Sequence, residues 1–379
     1  MRIMKTYIYQ QKNWPNFYWN NETIIPLISQ VRHLQGKMIG KMESLGFELR
    51  NEAILETLTL DVIKTSEIEG QILNPEQVRS SIARHLGMDI SGLVPSDRHI
   101  DGVVEMMIDA TRYFNKPLTA KRLFNWHAAL FPTGRSGMHK IIVGKWRNDS
   151  TGPMQVVSGV MGKEKVHYQA PDAKEIKHEV DSFLKWFNNN DQQDLVTKAG
   201  LAHLWFVTLH PFEDGNGRIA RAITDMVLAQ SDGISQRFYS MSAQIRVERK
   251  EYYDILEKTQ KGSLDVTEWL KWFLTCLKNA LTSSEKILAN VLDKHQFWNK
   301  YATQIFNDRQ ILLLNKLLDG FTGKLTSSKW AKIAKCSADT ALRDINDLIN
   351  KKILLKESAG GRSTNYELTD NYKTTIPGG

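Results

Sequence analysis

The sequence predicts a mainly α-helical protein with one small β-hairpin and a separate C-terminal module of three helices and two strands. Three observations lead there. Apolar residues recur at helical spacing through most of the chain, as in Leu27, Ile28, Val31, Leu34, Met38, Ile39 and Met42. A glycine-rich stretch from Pro132 to Pro171 breaks that pattern and encloses β-prone runs at Gln155–Val157 and Lys165–Tyr168, which read as a hairpin. After His295 the pattern restarts, with helical runs followed by β-prone ones.

The elements follow in order. Met1 to Trp19 is rich in aromatics and reads as an irregular arm packed on a helical body. Helical stretches start at Thr23 and at about Glu52, the second ending at Glu69 before Gly70, where a left-handed C-terminal cap is common. Asn74-Pro75-Glu76 restarts the chain with Pro near a helix N-terminus. Further helices are expected over Arg98–Phe114, Thr119–Leu130, Ala173–Asn188, Leu195–Thr208, Arg218–Gln230, Arg249–Thr259 and Val266–Lys294. The C-terminal module comprises helices at Arg309–Leu318, Ser327–Ala334 and Ala338–Asn350. Strands follow at Ile353–Lys356 and Thr364–Leu368 about a turn at Ala359-Gly-Gly361. With 379 residues the chain exceeds one comfortable core. It divides into an N-terminal helical region (1–97), a helical core (98–295) and the C-terminal module (300–379).

Composition excludes several classes. The hydrophobic fraction of 41% and charged fraction of 24% are ordinary for a globular protein, and no apolar run reaches the roughly 20 residues that span a bilayer. Cys276 and Cys336 lie far apart with no metal-type spacing around them, which suits a reducing, cytoplasmic location. A net charge of +8 suits an anionic partner, nucleotide or nucleic acid, and equally a lysine-rich surface that serves solubility.

The chemistry concentrates in His210-Pro-Phe-Glu-Asp-Gly-Asn-Gly-Arg-Ile-Ala-Arg221, between two helical stretches. Gly215 and Gly217 flank Asn216, so the backbone can take positive φ and approach an anion with no Cβ in the way. Successive N–H groups and the start of the next helix, near Arg218, then make a phosphate cradle. Arg218 and Arg221 are three apart on that helix, so both guanidinium groups can reach one polyphosphate. Asp214 is a hard oxygen ligand suited to Mg²⁺ on the phosphates. His210, at the loop entrance, can take a proton from an attacking hydroxyl, and Phe212 anchors the loop in the core. A Walker A loop is excluded: Gly144-Lys145 is followed by Trp146, with no glycine five residues before.

These residues resemble the signature of the Fic family (filamentation induced by cAMP), and the likeness extends over most of Arg98–Leu281. The resemblance implies a Fic-type helical core with a β-hairpin flap. The implied enzyme is a protein adenylyltransferase that moves AMP from ATP, with Mg²⁺, onto Ser, Thr or Tyr hydroxyls of a protein substrate, itself included. By that likeness His210 is the general base, Asp214 holds Mg²⁺, and Gly215, Asn216, Gly217 and Arg218 bind phosphates, with Arg221 on the terminal one. Tyr252 and Tyr253 resemble the adenosine-side wall, with Gln260 where relatives often carry Asn. Val156, Val157, Ser158 and Gly159 lie in the first strand of the flap that positions the target.

Thr65-Ser-Glu-Ile-Glu69-Gly70 resembles the family's inhibitory helix (about 52–70). Thr65 and Glu69 share a helical face. The resemblance implies that Glu69 pairs with Arg221 and denies it to the γ-phosphate, so inhibition is intramolecular.

The C-terminal module resembles a winged helix-turn-helix, with Trp330, Ile333, Leu342 and Ile345 as its core face. Lys335, Thr340, Arg343 and Arg362 can meet DNA phosphates. Its balance of 12 Lys and Arg against 8 Asp and Glu from Asn307 to Gly379 is modest for a DNA binder. Protein docking or a homodimer contact suits such a module equally. The rival readings are therefore a nucleotide-sensing transcriptional regulator, or a Fic-fold enzyme that removes AMP or transfers another phosphate-containing group.

Overall fold

The computed structural model describes residues 7–43, 47–88, 92–150, 152–159, 165–189, 193–318, 320–321, 323–357 and 364–369. These form two compact units, Met1–Glu285 and Lys286–Gly379, and the structure is mainly helical.

The first unit begins with a single 3-10 turn, Ile8–Gln10, followed by α1 (Asn21–Glu43), α2 (Phe47–Ile68), α3 (Pro75–Leu86), α4 (Arg98–Arg112) and α5 (Ala120–Leu130). Two antiparallel strand pairs follow, β1 (Arg135–Ser136) with β2 (His139–Lys140) and β3 (Gln155–Ser158) with β4 (Lys165–Gln169). Then come α6 (Ala173–Asn188), α7 (Leu195–Leu209), α8 (Asn216–Asp232), α9 (Met241–Val247), α10 (Arg249–Gln260) and α11 (Thr267–Lys300), whose residues from Lys286 onward belong to the second unit. Several of the helices begin where short polar side chains accept orphan N–H groups. Asn74 caps α3, Asp97 caps α4, Thr119 caps α5 and Asp194 caps α7 through the amides of Val196 (2.9 Å) and Thr197 (3.1 Å).

Helices α7 and α8 sit at the centre, and their packing against each other is what positions the motif loop. Every residue of α7 from Val196 to Leu209 is buried, and so is nearly all of α8 as far as Ala229. That explains why α7 shows no amphipathic stripe: a helix covered on all sides is apolar all round. Helix α2 packs on α8, α9, α3 and α4. Gly102 lets α4 lie against the backbone of Ala129 in α5, where any Cβ would collide. The aromatic arm is pinned to the body by Tyr7 and Tyr9 edge-on to Tyr168, and by Trp14 and Phe17 against Trp205.

Two readings of the sequence change here. The helix after the motif begins at Asn216, two residues before the expected Arg218, because Gly215 (φ +81°) serves as its N-cap. The short α9 and the β1–β2 pair were not anticipated, since seven-residue helices and two-residue strands carry too little periodicity to register.

The second unit holds α12 (Asp308–Leu318), α13 (Ser327–Ile333), α14 (Ala338–Asn350) and the antiparallel pair β5 (Leu354–Lys356) and β6 (Tyr366–Leu368). Its core gathers Leu313, Leu314, Trp330, Ile345, Leu348 and Ile353. Trp330 and Ile345 are fully buried and Ile333 packs against them, but Leu342 is 41% exposed. Ala341, Ile345 and Leu348 define the buried face of α14, and Leu342 lies one residue around the helix from it. Lys335, with φ +49°, occupies the turn before α14; it and Arg343 are exposed, and Thr340 Oγ1 bonds Ser337 Oγ (2.9 Å). The expected turn at Ala359–Gly361 and Arg362 lie outside the described residues.

Candidate active site

His210 ends α7 in the left-handed conformation (φ 49°, ψ 55°), which turns the chain sharply into the loop. Its Nδ1 lies 3.0 Å from the carbonyl of Val207. A carbonyl only accepts, so Nδ1 carries the proton and Nε2 keeps its lone pair. Burial pushes the imidazole below its ordinary value of 6.5, with Arg147 adding to the effect against the Val207 bond, Glu69 and Asp214. The ring is therefore a neutral base at physiological pH.

The loop is braced from both sides. Asn216 turns its amide back onto Phe212, accepting its N–H at 3.0 Å and donating to its C=O at 2.8 Å. That side chain is consequently spent on the loop's shape. The first amide of α8 to bond backward is that of Ile219, onto Gly215 O (3.0 Å), so the helix itself makes no use of the N–H groups of Asn216, Gly217 and Arg218. Arg147, almost fully buried, donates from Nε to His210 O (2.8 Å) and from its main-chain N–H to Pro211 O (3.0 Å). His127 stacks on the fully buried Phe212 at 4.2 Å. Gly144 N–H donates to His127 Nδ1 (3.1 Å), which leaves the Nε2 proton for Asp214 O (3.2 Å). None of these braces was foreseen; Arg147 and His127 lie far from the motif, and nothing in their own sequence neighbourhood marks them.

Asp214 receives the Gly215 amide at Oδ1 (2.5 Å) and the Ser136 hydroxyl at Oδ2. Arg218 is buried beneath Phe131, 5.0 Å from its ring, and donates to Gln71 Oε1 (2.9 Å). Gln71 is a further contact the sequence did not indicate.

Arg221 is buried and reaches α2. Its Nε donates to Thr65 Oγ1 (2.6 Å), and its Nη2 to both Thr65 O (2.9 Å) and Glu69 Oε1 (2.6 Å). Glu69 raises the guanidinium above its usual value in spite of the lowering effect of burial. Nη1 is buried and has no partner among the described residues. Gly70 ends this segment with φ +78°. Gly217 faces Glu69 so closely that a Cβ there would collide with Oε1.

A cleft of about 580 Å³ brings together His210, Asp214, Asn216, Gly217 and Glu69 with Tyr252, Tyr253 and Gln260 of α10 and Val156, Val157 and Ser158 of β3. Tyr252 is buried and bonded to His203 Nε2 (2.9 Å), whereas Tyr253 is 36% exposed with Arg249 over its ring. Gln260 is buried beside Val207 O and Thr208 Oγ1, 3.4 Å from each. Gly159 is not among the residues lining the cleft.

Residues 117–228 match the model of the Fic/DOC family, and residues 7–88 match a domain of unknown function, DUF4172. Among curated proteins, the chain is 27% identical over 247 residues to protein adenylyltransferase fic-1 of Caenorhabditis briggsae, covering 63% of this chain and 45% of that protein. It is 26% identical to the Caenorhabditis elegans protein of the same name, covering 55% and 38%. The chain thus spans less than half the length of these relatives. A solved Fic family protein from Desulfovibrio desulfuricans G20 superposes over 93% of this chain and 98% of its own, with a TM-score of 0.50 and 19% identity. That similarity establishes the fold.

Proposed function

We propose that this chain transfers AMP from ATP to a Ser, Thr or Tyr hydroxyl of a protein, releasing pyrophosphate, and that Glu69 restrains the reaction. The observation that carries the reading is Arg221, a buried guanidinium beside the loop. It holds one carboxylate from the turn that ends α2 and keeps Nη1 without a partner among the described residues. A buried cation half-satisfied in this way suits an anion that the protein itself does not provide. The relatives named protein adenylyltransferase support ATP as that anion's source.

In this mechanism the free amides at the start of α8 and the Arg218 side chain hold the phosphates. His210 Nε2 takes the proton of the attacking hydroxyl as its oxygen bonds to the α-phosphorus and the bond to the β-phosphate oxygen breaks. Fixed donors around the loop stabilise the charge that develops. The β3–β4 hairpin holds the target chain over the cleft, its open edge suited to an extended peptide. Asp214 would hold Mg²⁺, which supplies charge neutralisation on the phosphates. The donor set fits: one carboxylate beside a phosphate cradle, with no cluster of three acidic or soft ligands among the described residues, is the kind of site in which substrate oxygens and water complete the shell. Glu69 competes with the γ-phosphate for Arg221, so ATP binds without its productive geometry.

The test is incubation of the full chain and of Glu69→Gly with Mg²⁺, a mixture of Ser-, Thr- and Tyr-containing proteins, and ATP labelled at either the α- or the γ-phosphate. Protein-bound label from α-labelled ATP alone is expected. Label that follows the γ-phosphate, or none from either form, overturns the reading.

A further inference from the structure

The turn that carries Glu69 brings a second side chain to the phosphate loop. Past the end of α2, Glu69 and Gln71 donate their main-chain N–H groups to Ser66 O (3.1 and 3.0 Å), and Gly70 donates to Glu67 O (3.1 Å). Arg249 Nε holds the carbonyl of Ile68 at 3.0 Å. Residues 66–71 are thus one closed turn, of the kind a left-handed glycine completes. Two side chains leave it in different directions. Glu69 goes to Arg221, while Gln71 Oε1 accepts from Arg218 Nη1 (2.9 Å), and His99 Nε2 lies 3.1 Å from the same oxygen. One turn therefore occupies both arginines of the motif.

The Gln71 contact decides where Arg218 points. Arg218 is almost fully buried, yet it is not among the residues lining the cleft that holds His210, Asp214 and Gly217. Its neighbours Gln71 and Phe131 instead line a separate cavity of about 450 Å³, together with His99 and Ser136. The cation is poorly matched in that position. Burial pulls the guanidinium below its ordinary value against the raising effect of Asp214 and Glu69. Its Nη1 donates to a neutral amide, and its buried Nε has no partner among the described residues. An anionic oxygen is a stronger partner for a guanidinium than an amide is, and a phosphate can take two of its N–H groups at once.

We propose that Gln71 is a second arm of the restraint, a positioning residue that holds Arg218 away from the phosphates of ATP. The inference rests on the AMP-transfer reading above and extends its regulation from one arginine to both. In the restrained chain Glu69 takes Arg221 and Gln71 takes Arg218, so the triphosphate must displace two contacts to reach its productive position. Loss of the Glu69 carboxylate removes only one of them. The amide of Gln71 stays on Arg218, and release in Glu69→Gly is incomplete. A movement of the whole turn, in contrast, frees both guanidinium groups together.

The experiment uses the full chain and places Gln71→Ala and Gln71→Glu each alone and with Glu69→Gly. ATP affinity is read by calorimetric titration with Mg²⁺ in the His210→Ala background, where turnover does not interfere. Transfer is read with α-labelled ATP and added protein acceptors in chains that keep His210. Gln71→Ala is expected to tighten ATP by about threefold to tenfold, the worth of one hydrogen bond. Added to Glu69→Gly, it raises transfer further by lowering KM for ATP with kcat little changed. Gln71→Glu gives Arg218 an anionic partner, so ATP binds more weakly and transfer slows. A merely structural side chain would shift both variants the same way. In Arg218→Ala the gain from Gln71→Ala disappears. ATP bound no tighter in Gln71→Ala, or a gain that persists in Arg218→Ala, overturns this inference whatever the transfer assay gives. Tighter ATP binding that depends on Arg218, with no AMP transferred by any variant, upholds the arm and overturns the AMP-transfer reading.

Discussion

Glu69 and Arg221, 152 residues apart in sequence, meet at 2.6 Å, with the guanidinium sealed in the core and the carboxylate 30% exposed. The pair joins the end of α2 to the first turns of α8 beside the loop. Arg221 gains a partner there for a buried charge, and in the mechanism proposed above Glu69 competes for it with the terminal phosphate of ATP. On that proposal one contact serves both stability and restraint.

Glu69→Gly is expected to raise AMP transfer by about tenfold or more, the equivalent of roughly 1.4 kcal/mol of lost competition at Arg221. The same change lowers stability by about 1 kcal/mol, a figure discounted for the partly exposed carboxylate. Transfer rate and urea midpoint, measured on the same preparation, check both halves. Faster transfer with unchanged stability would mean that the pair restrains without bracing.

Gly217→Ala reaches the same pair from the other side. Its Cβ would strike Glu69 Oε1 and come within 3.3 Å of Arg221 Nη1, so the carboxylate must move. A loss of about 1–3 kcal/mol is expected, and the loss in Gly217→Ala with Glu69→Gly should be less than the sum of the singles. Strict additivity in urea unfolding would refute the clash.

His210→Ala is expected to lower transfer to other proteins by about 10²–10⁴-fold, with ATP affinity changed only a few-fold. Because burial lowers the imidazole below 6.5, the base stays unprotonated as pH falls past that value. The acidic limb of kcat/KM should accordingly lie below pH 6.5 and vanish in the variant.

Asp214→Asn and chelation of divalent cations should each abolish transfer, and added Mg²⁺ should restore the chelated wild type but not the variant. Calorimetric titration of nucleotide with and without Mg²⁺ checks this independently of turnover.

Acid should destabilise the first unit early. Burial holds His203 at about 3, with Arg221 adding to the effect, and burial also holds His127 at about 4 against its bond to Asp214. In the unfolded chain both take up protons near 6.5, while in the folded one they do not. Stability is therefore highest above pH 6.5 and falls between 6.5 and 4 by up to about 1.4 kcal/mol per pH unit for each ring. His203→Gln should reduce that slope by one ring's share in urea unfolding between pH 7.5 and 5.

Much of this was legible in the sequence because the information is local. Helical periodicity, polar caps and the glycines before and after the helices mark most of the helical elements, and the hairpin strands stand out between Gly-rich turns. The Thr65 and Glu69 spacing also placed both on one helical face, and both contact Arg221. The core face of α14 was misread at Leu342, because an apolar residue one position away from the buried stripe looks the same in sequence.

By itself, then, the sequence determined the helical class and singled out the motif loop, with the residues proposed to bind phosphate and take a proton. Periodicity and motif spacing are properties of neighbours along the chain. The tertiary structure alone decided how those residues are held. It set Arg147 and His127 behind the loop, committed the Asn216 side chain to Phe212, and placed Gln71 on Arg218. Each of those contacts joins side chains at a spacing set by packing. Such spacing leaves no period in the sequence to read.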